Sequence, residues 1–312
     1  MEISAKLKER FCKDCNIPIK IFQEPYFMDR MNLYNQFYDT MNQWDTFVTE
    51  LGNYKCEQDY YEDYNRVKDT AINDIKSTEA YLEFNHEDDN LYRMKHKGLP
   101  GKDIFHPSND GKRFISIDMR KANFSALRHY SSDIFNGAKS WEEFISRYTS
   151  NLHIVNSKYI RQVILGNCNP KRHITYEKYL MEMILDEIVL SVFDIKDVVF
   201  FSNDEIVIDV SNMNELDMID LRLCFLEESL KSVTIPFKVE LFTLHKIEGT
   251  GGYYKELKNG IVEFKCLDNY MLPFVMRKIL GQEVTENDKV FYHEGLLAKF
   301  IETPEIKFSI NQ

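Results

Sequence analysis

The chain has 312 residues, of which 44% are hydrophobic and 13% aromatic, so it can bury a core and is not a disordered segment. Its length favours about two domains. Its formal net charge of -11 argues against a surface that coats nucleic acid everywhere, but not against a local basic channel, since affinity depends on the phosphates contacted.

The charged N-terminus, residues 1–10, has no apolar signal core. No segment reaches the run of about 20 apolar residues that a membrane span requires. We therefore expect a soluble, intracellular protein, in the cytoplasm or at a site of replication, with no membrane partner.

Six cysteines are spread along the chain, and Cys12 and Cys15 form its single Cys-x-x-Cys pair. A four-ligand zinc site needs a second pair at matching spacing, which the sequence lacks. Reduced thiols are therefore expected, as is usual in an intracellular protein. Whether Cys12 and Cys15 bind a metal stays open.

Residues 1–111 are predicted to be mostly helical. Apolar residues recur at helical spacing from Met28 to Leu51, and a second long helix is predicted from Tyr60 to Phe84. From His86 to Gly111 the chain is polar and contains several Gly and Pro residues, which is typical of a long connection. Its basic cluster, Arg93 to Lys102, fits a solvated loop better than a set of contacts to backbone phosphates.

The first strand is predicted from Lys112 to Asp118, an apolar run that ends in a carboxylate. Helical spacing follows from Met119 to Tyr130. A short helix is predicted from Ser140 to Ser150, where Ser140 and the Glu three residues later form a capping box. Another helix is predicted from Val155 to Gly166.

Two apolar runs, Val198–Phe201 and Ile206–Ile208, are joined by a polar tip. Ser, Asn and Asp turn a chain because their short side chains bond to the nearby backbone, so we predict a hairpin that presents Asp204 and Glu205. A plain polar turn would explain the hairpin alone. Together with Asp118, however, its carboxylates are the oxygen ligands that Mg²⁺ and Mn²⁺ prefer, and two ions about 4 Å apart assist phosphoryl transfer.

Basic residues cluster between these two carboxylate-bearing segments. Lys158 and Arg161 are about one helical turn apart and share a face, and Lys171 and Arg172 follow the turn after Gly166. Charge runs are usually solvated faces. Here a triphosphate held near the carboxylates would need cations, so we favour a role in nucleotide binding.

Helices are also predicted from Ile174 to Asp194 and from Met213 to Ser232, with a strand from Ile235 to Thr243. The order strand, helices, hairpin, helix, strand predicts an α+β fold, an antiparallel sheet backed by helices. Residues 249–312 differ in their sequence pattern. A hairpin is predicted with its turn at Asn259–Gly260, and a helix is predicted from Leu272 to Leu280. No motif indicates the role of this small C-terminal extension.

Several segments, in this order, resemble motifs of the family A DNA polymerases. They are similar to that family's first motif, its fingers helix, its last catalytic motif and the strand that follows. The matching segments are Phe114–Asp118 with Asn123, Phe124 and Arg128 after it, then Ser157–Arg172, Ser202–Val207 and Pro236–Glu240. Only the last catalytic motif is specific by itself, and the resemblance covers roughly residues 112–244.

The resemblance implies a polymerase-type palm over residues 112–248, with the fingers helix inserted at about 140–173. It implies a thumb-like region over residues 1–111 that grips duplex, although a bundle that only supports the palm fits equally, and both roles can be combined. The implied activity is a nucleotidyltransferase that extends the 3′ end of a primer–template with nucleoside triphosphates.

In this resemblance Asp118 and Asp204 hold two Mg²⁺ ions and Glu205 assists. Arg161 occupies the position of the family's triphosphate-binding Lys, with Lys158 nearby. The other residues that we predict to bind nucleotide are Asn123, Lys171 and Arg172.

The chain also departs from the family pattern. Asn123 replaces a Glu that helps to exclude ribonucleotides, and Asn203 replaces a His. The Tyr that follows the fingers helix is absent, and the chain is too short for a proofreading domain before the thumb. The resemblance is therefore to a minimal, divergent polymerase, for which strict template dependence and the choice of DNA or RNA are not implied.

Two alternatives stay open. A non-catalytic nucleic-acid-binding or replication-assembly protein with a decayed palm is favoured by the altered first motif and the acidic charge. It is disfavoured by Asp118, Asp204 and Glu205, because carboxylates held close together are costly without a metal. An unrelated α+β protein with chance matches is the third interpretation.

Overall fold

A computed structural model describes residues 3–213 and 216–308 of the chain. Within them the chain forms twelve α-helices and nine β-strands, connected by loops and short 3-10 turns. The helices are α1 (Ala5–Asp14), α2 (Tyr26–Tyr38), α3 (Thr40–Leu51), α4 (Glu57–Ser77), α5 (Glu79–His86), α6 (Ala122–Tyr130), α7 (Trp141–Ile145), α8 (Leu152–Asn156), α9 (Lys158–Gly166), α10 (Pro170–Glu187), α11 (Leu216–Lys231) and α12 (Leu272–Ile279). The strands are β1 (Arg113–Met119), β2 (Val198–Phe201), β3 (Glu205–Asp209), β4 (Phe237–Glu248), β5 (Tyr253–Leu257), β6 (Val262–Lys265), β7 (Val290–His293), β8 (Leu296–Lys299) and β9 (Lys307–Phe308).

A seven-stranded antiparallel sheet forms the centre of the fold. Its strand order is β2-β3-β1-β4-β5-β6, and β9 pairs with the end of β4. The first strand in sequence, β1, therefore lies between β3 and β4, where Asp118 is opposite Glu205 on one side and Lys238 on the other. The predicted α+β class with an antiparallel sheet is confirmed. None of the described helices combines the length and the apolar character needed to cross a membrane.

The two faces of β1 are buried in different surroundings because side chains alternate along a strand. Ile115, Ile117 and Met119 belong to the main core, which the helices share. Phe114 points to the opposite face and packs in a smaller apolar cluster. Asp118 falls on the Phe114 face by the same alternation, at the end of the strand.

Several predicted helices are interrupted in the structure. The predicted Met28–Leu51 helix is divided at Asp39, whose left-handed backbone (φ 49°) ends α2 and starts α3. The predicted Val155–Gly166 helix begins only at Lys158, because the hydroxyl of Ser157 accepts a 3.0 Å hydrogen bond from the Ile160 N–H and caps the new helix. The helix predicted from Met213 is described from Leu216, and residues 214–215 lie outside the described part of the chain.

The N-terminal helices pack on the segment that contains α8 and α9. At the centre of this contact is Asp14, which is buried at the end of α1. Its carboxylate accepts hydrogen bonds from the hydroxyls of Tyr64, at 3.1 Å, and Ser157, at 2.9 Å, and lies 3.1 Å from Nε2 of His153. One side chain therefore joins α1, α4, α8 and the start of α9.

The C-terminal segment is built into the same sheet. The predicted boundary at residue 248 falls between β4 and β5, which pair from Phe242 to Lys246. The predicted hairpin at Asn259–Gly260 and the predicted helix after Leu272 are both present, and α12 packs against α2. Residues 249–308 therefore extend the sheet and reach back to the N-terminal helices.

A buried ion pair holds the C-terminal segment against α2. Nη1 of Arg30 on α2 lies 2.8 Å from Oδ1 of Asp288, and their side chains are 5% and 1% exposed. The other carboxylate oxygen of Asp288 accepts a 3.0 Å hydrogen bond from Nε of Arg277 and one from the Thr285 hydroxyl. The carboxylate of Asp288 thus binds Arg30 on α2, Arg277 on α12 and Thr285 in the loop before β7.

We predict that Asp288→Asn lowers the free energy of unfolding by about 3–5 kcal/mol, because buried Arg30 loses its counter-ion. Urea unfolding followed by circular dichroism measures the change. Glu228→Gln, which removes one member of the exposed pair with Lys231, is the matched control and should change stability little. Equal effects of the two substitutions would contradict this account.

Candidate functional site

The tip of the β2–β3 hairpin is shaped by one hydroxyl. Oγ of Ser202 accepts hydrogen bonds from the N–H groups of Asp204, at 3.2 Å, and Glu205, at 2.9 Å, and lies 2.9 Å from the Asp204 carboxylate. The Ser202 N–H closes the turn by donating to the Glu205 carbonyl. The short side chain thus fixes Asp204 at the tip, immediately before β3 begins.

The hairpin tip is attached to the end of β1. The Met119 N–H donates a 2.8 Å hydrogen bond to the Asp204 carbonyl, and Asp118 is paired across the sheet with Glu205. Burial, followed by the charges of Glu205 and Asp204, raises the pKa of Asp118 to about 6. Three acidic residues therefore meet where β1 ends.

Glu205 differs from the other two because a buried lysine lies beside its carboxylate. It accepts a 2.8 Å hydrogen bond from the Ser116 hydroxyl and lies 3.6 Å from Nζ of Lys255. Lys255 is buried over the ring of Phe242. Burial lowers the pKa of Lys255, and the charge of Glu205 opposes that shift. Glu205 is thereby held on the face of the sheet beside Asp118.

The cationic part of the site is on α9. Arg161 is one turn after Lys158, as predicted, and its Nε is buried without a hydrogen-bond partner in the described part of the chain. Burial lowers the pKa of the guanidinium, and the charge of Glu142 partly offsets this. Lys158 is exposed at the first turn. A partly buried guanidinium with an unsatisfied N–H is a ready partner for an anion.

One cavity of about 620 Å³ brings these groups together. Asp118 and Asp204 contribute to its lining, and so do Lys158, Arg161 and the predicted Asn123. Arg120 and Lys121, between β1 and α6, add two more cationic side chains. The lining therefore holds four cationic side chains and three carboxylates, because Glu177 also contributes to it.

Two buried residues of the cavity, both on α10, were not among the predicted site residues. Glu177 of α10 is buried in its lining and accepts a 2.6 Å hydrogen bond from the side-chain amide of Asn203. Burial raises the pKa of Glu177 to about 7. His173, one turn earlier, also lines the cavity, and burial lowers its pKa to about 4. The available signal was a Glu that interrupts the apolar face of a predicted amphipathic helix.

Other predicted nucleotide-binding residues lie elsewhere. Arg172 is buried, with its guanidinium 5.1 Å from the ring centre of Phe84 and 5.7 Å from that of Tyr92. Lys171 is exposed, and neither residue is among those that line the cavity. Because α10 begins at Pro170, Lys171 and Arg172 lie in its first turn, where successive side chains point in different directions.

The carboxylates at the end of β1 provide fewer ligands than a metal site made only of protein groups would need. In residues 3–213 and 216–308, no group of three or more His, Cys, Asp and Glu side chains is arranged to hold a metal ion. Asp118 and Asp204 provide two oxygen donors in one cavity, which suits a Mg²⁺ ion that completes its coordination with water and phosphate.

Comparisons with known proteins add no assignment. No protein-family model, no curated protein and no solved structure matches this chain.

We predict that Asp118→Asn raises the melting temperature at about pH 7 and changes it less at about pH 4. The folded-state pKa of Asp118 is raised from 3.8 to about 6, so the stability associated with its protonated form is lost as the pH rises through this range. Thermal unfolding across the pH range, without divalent cations, measures the difference between wild type and variant.

The matched control for this series is Asp209→Asn. Asp209 is on β3 and has Nζ of Lys112 at 3.4 Å, so it lacks the crowding of acidic groups that surrounds Asp118. A gain in melting temperature for Asp118→Asn that is the same at every pH would contradict the electrostatic explanation.

Proposed function

We propose that this chain is a nucleotidyltransferase that extends the 3′ end of a nucleic acid with nucleoside triphosphates. The observation that carries the proposal is the single cavity lined by Asp118 and Asp204 together with Lys158 and Arg161. A triphosphate substrate requires both kinds of group, because metal ions need oxygen ligands and the remaining phosphate charge needs cations.

Asp118 and Asp204 would hold the Mg²⁺ or Mn²⁺ ions. The fit rests on their donor chemistry and on the raised pKa of Asp118, since a bound cation would offset the repulsion from Glu205 and Asp204. When bound, such ions polarise phosphate oxygens and activate the attacking hydroxyl.

The residues of the chain supply positioning and charge neutralisation, which carry most of the catalysis in phosphoryl transfer. Arg161 would bind phosphate oxygens through its planar fork, with Lys158 at the open side of the same helix. Asn123, at the start of α6, lines the cavity as a short uncharged group. In this position it would leave the sugar pocket less crowded than a Glu would.

The proposal includes the architecture: residues 112–248 would form a palm like that of the family A polymerases. Its support is the order of the elements: a central strand with Asp118 as its last residue but one, the α9 helix with Arg161, and a hairpin adjacent to that strand with Asp204 at its tip. The thumb role of residues 1–111 and the fingers role of about 140–173 belong to the same proposal.

A non-catalytic nucleic-acid-binding protein is the second candidate. It is favoured by the altered first motif, in which Asn123 replaces a Glu, and by the formal net charge of -11. Primer extension separates the two candidates, because only the enzyme lengthens a labelled primer when Mg²⁺ or Mn²⁺ and each triphosphate are supplied.

We predict that Asp204→Asn reduces nucleotide incorporation by about 100-fold or more, the loss associated with one preorganised electrostatic group. Primer-extension rates measure the effect, and the melting temperature verifies the fold. Asp209→Asn, on the same hairpin but outside the cavity, is the control and should retain activity. Full activity in Asp204→Asn would exclude this site as the reaction centre.

We predict that Arg161→Ala weakens nucleotide use by about 2–4 kcal/mol in kcat/KM, because one charge-stabilising donor is lost. Arg161→Lys should recover only part of this loss, since an ammonium cannot reproduce the bidentate fork. Steady-state incorporation kinetics, beside a gel shift with primer–template at fixed salt, measure both effects.

The exposed Arg147 is outside the cavity, so Arg147→Ala is the control for the loss of one positive charge. A loss of duplex binding with unchanged nucleotide kinetics in Arg161→Ala would make α9 a nucleic-acid clamp and would contradict its assignment to the triphosphate.

A further inference from the structure

The cavity at Asp118 is one end of a longer groove. A second cavity of about 730 Å³ shares Lys158 and Gln162 with it. A third, of about 330 Å³, shares Ile19, Lys20 and Asn269 with the second. Because neighbouring cavities share lining residues, the three lie side by side along a path from the carboxylates, past α1 and β6, to the strand β7, and this path is called the groove below.

The middle of this groove is basic. Its lining includes four lysines and two glutamates, in a chain whose net charge is -11. The lysines are Lys13, Lys20, Lys158 and Lys265. Lys13 and Lys265 are paired with Glu9 and Glu263, whereas Lys20 and Lys158 form no ion pair within the residues that the structure describes. An excess of cations on a walled groove attracts a polyanion.

The far end of the groove is aromatic. Tyr270, Phe291, Tyr292 and His293 line the third cavity. The rings of Tyr270 and Phe291 are 5.3 Å apart and tilted, and the Tyr292 side chain is 43% exposed. Tyr292 and His293 are exposed, and an exposed ring beside a cationic groove is a surface on which an unpaired base can stack.

We propose that this groove binds a single-stranded polynucleotide and guides it to or from the carboxylate cavity. Phosphates would lie along Lys158, Lys20 and Lys265, and a base would stack on the exposed ring of Tyr292. A single strand fits better than a duplex, because the rings can stack only on bases that are not already paired. The idea that the strand is guided to or from the carboxylate cavity rests on the proposed function. Binding of a single strand in the groove does not depend on catalysis.

This role also gives a purpose to residues 249–308, which contribute β6, Tyr270 and β7 to the groove. Two of the three cavities depend on this segment. The C-terminal extension, for which sequence motifs indicated no role, would therefore form the wall that holds the unpaired strand.

Fluorescence anisotropy with labelled 20-nucleotide oligo(dT) and oligo(rU), without triphosphates or divalent metal, tests the groove. A blunt hairpin duplex is the comparison. We expect the single strands to bind more tightly than the duplex, and the two oligonucleotides distinguish DNA from RNA as the natural strand.

Lys20→Gln with Lys265→Gln should weaken single-strand binding about 10-fold and lower the salt slope of log Kd by about 0.7 for each lysine that contacts a phosphate. The matched control is Lys55→Gln with Lys196→Gln, two exposed lysines outside the three cavities. Tyr292→Ala should weaken binding about 10-fold with an unchanged salt slope, and Tyr292→Phe should preserve binding, because stacking needs only the ring.

The proposal is overturned if the wild type does not bind single strands, or if the groove and control lysine pairs lose affinity equally. Primer extension on the same proteins separates this outcome from failure of the proposed function. Groove-dependent binding without incorporation would retain the groove and exclude the enzyme, whereas incorporation without groove-dependent binding would exclude the groove alone.

Discussion

The buried carboxylate of Asp14 determines where the cationic side of the site lies. It receives hydrogen bonds from Tyr64 and Ser157 and contacts His153, so the start of α9 is fixed to α1 and α4. A buried carboxylate is stable only while its partners remain in place, since an unpaired charge in a core costs several kcal/mol. The helix that carries Arg161 therefore takes its position from the N-terminal helices, which makes their supporting role essential to the site whatever else they bind.

The site brings together charged groups that repel one another or lack a partner. Asp118 is partly buried beside Glu205 and Asp204, and Arg161 is partly buried with an unsatisfied N–H. Each arrangement lowers the stability of the folded chain, and such arrangements cluster where a ligand of opposite charge completes them. Glu205 is the exception, because Ser116 and Lys255 satisfy its carboxylate. Asp204 accepts a hydrogen bond from the Ser202 hydroxyl, and neither Asp118 nor Asp204 forms an ion pair within the residues that the structure describes.

The strands and the hairpin could be predicted from sequence because their signals are local. Val198–Phe201, the Ser202 turn and the run that ends at Asp118 carry their own patterns of burial and polarity. The start of α9 at Lys158 was not predicted; Ser157 caps it by accepting from the Ile160 N–H, and its hydroxyl donates to Asp14, 143 positions away in sequence. Glu177 and Arg172 were missed or misplaced for a related reason: the first turn of α10 decides which side chain faces the cavity and which packs on Phe84.

The ion pair between Arg30 and Asp288 joins residues 258 positions apart in sequence. On a ribosome that adds about 5–20 residues per second, Arg30 is made roughly 13–50 s before its carboxylate partner. During that interval α2 has a guanidinium without its counter-ion and lacks the surface of α12, so it cannot reach its final packing. The contact between α2 and the C-terminal segment can therefore form only after the end of the chain has been synthesised, and contacts of such long range are associated with slow folding.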